Sequence, residues 1–112
     1  MAVTLDNVLQ HLGIDTSTDT VINANATRAL NAAEQTLKGA VGDDVRQLMP
    51  NDPRVDELVL IYAEDLYSER GVGSKVSNAT RRLVYDMELQ LRMELRALRD
   101  ARASRRRRGR RH

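Results

Sequence analysis

Cysteine, phenylalanine and tryptophan are all absent from this chain. Without cysteine there is no disulfide and no thiolate to ligate a metal or attack a substrate. The three aromatic residues are all tyrosine (Tyr62, Tyr67, Tyr85), so the core must be aliphatic and rich in alanine. Such a core suits closely packed helices better than a sheet, where aromatic and β-branched side chains are favoured. The two histidines, His11 and His112, stand a chain apart and form no recognisable metal site. The longest apolar run, Leu58–Ala63, is far too short to span a bilayer. The N-terminus lacks the charged-then-apolar layout of a signal peptide. These absences point to a soluble protein made inside the cell, with no membrane contact, metal or cofactor.

Catalytic constellations are equally scarce. Asp43 and Asp44 sit together in a loop and read as solvated turn residues, not as a general acid/base pair. Ser17, Ser68, Ser74 and Ser77 have no histidine at a suggestive spacing. Gly71-Val72-Gly73-Ser74 follows a helical pattern, not a strand, and lacks the lysine of a phosphate loop. It reads as a turn between helices, and the chain reads as a non-enzyme.

Four helices can be placed. Thr4 caps the first, Leu5, Val8, Leu9 and Leu12 follow at helical spacing, and Gly13 stops it with Ile14 positioned for a C-cap contact. The second begins near Thr18 or Asp19, buries Ile22, Ala26, Ala29, Leu30, Ala33 and Leu37, and closes at Gly39 and Gly42. A connector spans residues 39–52. Asp52 as N-cap and Pro53 at the first helical position start the third, a buried helix ending near Arg70. The fourth is capped by Ser77 or Asn78 and runs over residues 79–101. The expectation is an all-α bundle of about four helices, with a long C-terminal helix.

The fourth helix carries two apolar stripes. At about 100° per residue, Val84, Met87, Leu91, Leu95 and Leu98 share one side, and Tyr85, Leu89 and Met93 share another. Either the helix sinks deep into its own bundle, or one stripe faces the domain while Tyr85, Leu89 and Met93 meet a copy or a partner.

Charge is split along the chain. Residues 102–112 read RASRRRRGRRH, with arginine at 102, 105, 106, 107, 108, 110 and 111 and no acid. The tail takes seven of the 18 Lys and Arg, leaving 11 against all 16 acids in residues 1–101, a net of −5. The overall charge of +2 thus hides an acidic body (1–101) and a cationic arm (102–112). Like charges repel, so the arm is expected to stay unfolded until it meets an anionic partner. Guanidinium groups fit phosphate or carboxylate in a fixed fork. No aromatic residue is interleaved, so stacking on single strands is not indicated.

Three segments resemble a known family in the same order. Val3-Thr4-Leu5-Asp6 with His11-Leu12-Gly13-Ile14-Asp15 resembles the opening of the phage head–tail connectors, the HK97-type head completion adaptors. Ile61-Tyr62-Ala63-Glu64-Asp65-Leu66-Tyr67-Ser68-Glu69-Arg70 is similar to the end of that family's buried helix. Val76 through Leu83, then Gln90-Leu91-Arg92, resembles its closing helix. The resemblance covers about half the chain; the arginine tail lies outside the common pattern.

The resemblance implies an adaptor at the head–tail junction of the virion, made in the host cytoplasm. It implies a ring of copies, dodecameric in the family, beneath the portal protein. A tail-side connector or stopper protein would lie below, and double-stranded DNA would pass through the channel. Carried onto this chain, Arg102, Arg105, Arg106, Arg107, Arg108, Arg110 and Arg111 would form the portal-docking arm. The alternative is a DNA-packaging accessory whose arginines grip duplex phosphates. With all seven engaged, its affinity would fall with salt at a log–log slope of about −6.

Overall fold

The computed structural model describes residues 3–14, 20–68 and 78–109. Five helices and no strand lie among them: α1 (Leu5–His11), α2 (Thr20–Ala40), α3 (Val45–Leu48), α4 (Pro53–Ser68) and α5 (Asn78–Gly109). The fold is the small all-α bundle with a long C-terminal helix. The expected helix start at Thr18 or Asp19, the end at Arg70, the turn at 71–74 and the Ser77 cap lie outside the described residues.

Local chemistry explains the boundaries. The Thr4 hydroxyl accepts the Asn7 N–H at 3.3 Å, and the Asn7 side-chain oxygen accepts the Thr4 N–H at 3.0 Å, a reciprocal cap on α1. At the other end Gly13 takes φ +75°. Its N–H bonds the Gln10 carbonyl at 3.0 Å, and the Ile14 N–H bonds the Leu9 carbonyl at 2.9 Å. That pair of bonds satisfies the last carbonyls and turns Ile14 onto the core. Asp52 receives the Arg54 N–H at 2.9 Å, and Pro53 opens α4, where a missing N–H costs nothing.

The core is aliphatic. Ala26, Ala33 and Leu37 on α2 are buried against Val55, Leu58, Val59 and Ala63 on α4. Alanines at the crossing let the two axes come close. Val8 and Leu9 of α1 close one end of this layer. Ile22 and Leu30, expected inside, are half-buried at its rim.

The connector contains a helix that the periodicity could not show. α3 is one turn long, too short to display an amphipathic pattern, yet its Val45 is fully buried. Arg46 holds it in place, donating to Glu34 on α2 at 2.6 Å and to Asp56 on α4 at 2.6 Å. Gly39 does not end α2, which runs on to Ala40. The chain turns instead at Gly42, where a Cβ would meet an Arg99 guanidinium nitrogen at 2.5 Å and a Leu95 methyl at 2.6 Å. α5 therefore packs against bare backbone at this point.

The two glycines should respond oppositely to alanine. Gly42→Ala forces α5 outward and should cost about 1–3 kcal/mol, the range for overpacking. Gly39 is exposed with open space around it, so Gly39→Ala should stabilise by about 0.5–1 kcal/mol through helix propensity. Urea unfolding followed by circular dichroism measures both; equal effects would refute this packing of α5.

Candidate functional site

α5 spans 32 residues, and its sequence places nothing that breaks a helix between Asn78 and Gly109. At about 1.5 Å per residue such a rod is about 48 Å long, in a molecule measuring 59 × 30 × 18 Å. Only its middle is anchored. Leu91 and Leu95 are fully buried, with Val84 and Met87 half-buried beside them. The inward stripe loses its cover at Leu98, which is 40% exposed above the groove formed by Met49, Pro50 and Pro53.

Two guanidinium–carboxylate clamps flank those leucines. Arg54 donates to both oxygens of Glu94 at 2.6 and 3.0 Å, and its other donors bind Asp52 at 2.6 and 3.0 Å. One arginine thus ties the start of α4 to α5. Further along, Arg99 donates through Nε to the Asp44 carboxylate at 2.9 and 3.1 Å, with a second short bond from its terminal nitrogen. Asp44, expected as a solvated turn residue, is the anchor point for the last docked turn of α5. Sequence could not pair residues 55 positions apart.

The clamps shift the acids in one direction. Hydrogen bonds from Arg99 hold Asp44 below its ordinary value, against a smaller opposing effect of burial. Arg54 does the same to Asp52 and Glu94. Between α4 and α5, burial pushes the Tyr62 phenol above the ordinary tyrosine range, and the Glu88 charge on α5 adds to this. The buried Tyr62 hydroxyl makes no hydrogen bond among the described residues.

The opposite side of α5 is bare. Tyr85 is 63% exposed, Leu89 44% and Met93 66%, so the helix is not sunk in its own bundle. These three side chains form an apolar stripe facing away from the core. Leu83, 55% exposed near the N-terminal end, lies on a different side of the helix.

The arm departs from expectation. α5 continues as helix through Arg102, Arg105, Arg106, Arg107 and Arg108 to Gly109, where an unfolded segment was expected from residue 102. Arginine is a good helix former, and cations near a helix C-terminus are favoured by its dipole. Arg102, Arg105 and Arg106 are exposed, and Arg110 and Arg111 lie outside the described residues. At about 100° per step, Arg102, Arg105 and Arg106 share one side of the rod. Past Arg99 no ion pair holds the helix to the bundle among the described residues.

No other chemistry gathers in the described residues. They contain no group of three or more His, Cys, Asp or Glu able to hold a metal, and no helix long and apolar enough to cross a membrane. His11 bonds Glu64 at 2.9 Å, linking α1 to α4. Compared with family models, curated proteins and solved structures, the chain matches none.

Acid should loosen α5 before the α2–α4 core. A carboxylate whose folded pKa is lowered contributes stability above its unfolded value and loses it as pH falls through the folded value. Asp44, Asp52 and Glu94 are all of this kind. The melting temperature should therefore drop below about pH 4, and drop less in Asp44→Asn/Glu94→Gln. An identical acid response in that variant would assign the sensitivity elsewhere.

Proposed function

We propose that this chain is a head–tail connector of a tailed phage, an adaptor that assembles as a ring beneath the portal and surrounds the DNA channel. The observation that carries the reading is the arm. α5 is fixed to the bundle as far as Arg99 and then projects as a free, cationic helix. About ten residues beyond that clamp, at 1.5 Å each, give a reach of about 15 Å. Arg102, Arg105 and Arg106, exposed along one side of this helix, can each fork onto a carboxylate of a partner such as a portal.

The resembling segments are the ones that build and anchor the helices. Thr4-Leu5-Asp6 and Gly13-Ile14 are the two caps of α1, and Ile61–Leu66 is the C-terminal half of the buried α4. Gln90-Leu91-Arg92 surrounds the leucine that anchors α5. The portal above, a tail-side connector or stopper below, and duplex DNA within are the partners of this reading. The virion's head–tail junction is its location.

Electron microscopy of the chain mixed with the portal from the same genome tests it, using the whole protein and a version ending at Asp100. That truncation keeps both clamps and removes the arm. An added ring of density beneath the portal, lost with the truncation, is the expected result. No added density, with arm-dependent duplex binding that persists at physiological salt, would replace it with the packaging-accessory reading.

A further inference from the structure

The bare side of α5 holds more than an apolar stripe. Positions 79, 82, 86, 89, 93, 96, 100 and 103 alternate in steps of three and four, the spacing of a coiled-coil seam. Leu89 and Met93 occupy its centre. Going outward, Asp86 and Arg96 come next, then Arg82 and Asp100, then Ala79 and Ala103. The two central residues and the four charged ones are exposed. None of the four charges makes an ion pair among the described residues, although Arg82/Asp86 and Arg96/Asp100 are each one turn apart.

This order complements itself only when reversed. With a second copy antiparallel about residue 91, Leu89 of one meets Met93 of the other. Asp86 meets Arg96, Arg82 meets Asp100, and Ala79 meets Ala103. Every charged layer joins opposite charges and every uncharged layer is apolar. Parallel pairing in register would set arginine on arginine and aspartate on aspartate at all four charged layers, which is destabilising. The 3.5-residue period also brings the seam together with a left-handed supercoil. On one flank Gln90 of each copy falls beside the axis. On the other the two Arg92 do, with Glu88 one turn back on each helix as counter-charge.

We propose that the outer side of α5 is a self-recognition surface, on which two copies of this chain pair antiparallel about residue 91. The pairing does not rest on the adaptor reading. The two bundles lie on opposite sides of the helix pair, and the two arms point in opposite directions. A two-fold contact of this kind closes on itself and cannot propagate around a ring. On the adaptor reading it is therefore the state of the protein away from the portal.

Sedimentation equilibrium of the full chain at about 100 µM should give twice the 12.6 kDa monomer mass. Arg82→Asp/Arg96→Asp makes the seam all acidic, and Asp86→Arg/Asp100→Arg makes it all basic. Each should weaken self-association at least tenfold, and an equimolar mixture should restore a dimer, which also shows that both variants fold. Because the chain has no cysteine, Ala79→Cys and Ala103→Cys fix the direction. Mixed together they should cross-link to each other on oxidation. Neither should cross-link to itself, since 24 residues at about 1.5 Å separate like positions by about 36 Å. A monomeric wild type, a dimer indifferent to both charge reversals, or 79-to-79 cross-links would each overturn the pairing. None of those results bears on the portal experiment.

Discussion

Two leucines and two arginine clamps decide what this molecule can present to others. Leu91 and Leu95 sink into the bundle, while Arg54 and Arg99 reach carboxylates on either side of the helix–bundle seam. Gly42 lets the helix come in close enough for both. Because the attachment is a narrow stripe over the middle of a 32-residue rod, α5 keeps a bare outer side and a projecting C-terminal end. The surfaces from which function is argued are consequences of that limited docking.

Charge is distributed with the same economy. The body's acids are not a uniform solvated coat. Glu34 and Asp56 take Arg46, Asp52 and Glu94 take Arg54, Asp44 takes Arg99, and Glu64 takes His11. Arginine suits this work because its planar fork can bridge two carboxylates at once, as Arg46 and Arg54 both do. The arginines from 102 onward are of a different kind. They follow the last clamp, no acid lies among them in sequence, and Arg102, Arg105 and Arg106 are exposed.

Local signals were legible in the sequence. The Thr4 cap, the Gly13 turn with Ile14, the Asp52-Pro53 start and the inward Leu91/Leu95 stripe all follow from chemistry within a few residues. The outer stripe of Tyr85, Leu89 and Met93 followed from the helical period. What was not legible depended on contacts between distant residues or on competing local effects. Nothing near Asp44 announces Arg99, and one turn at Val45–Leu48 shows no period. Gly42 reads as a helix stop until α5 is laid across it. In the arm, repulsion among the arginines opposes their helix propensity, and with no breaker before Gly109 the helix prevails.

Whether α5 is one unbroken rod is the claim on which both the arm and the seam depend. Backbone chemical shifts of the isolated full chain, read by NMR residue by residue from Leu91 to Gly109, test it most directly. Helical Cα shifts that continue past Arg99 through at least Arg106, without any partner present, are the predicted result. Shifts that fall to random-coil values from Ala101 onward would contradict the account and return the arm to a flexible tail.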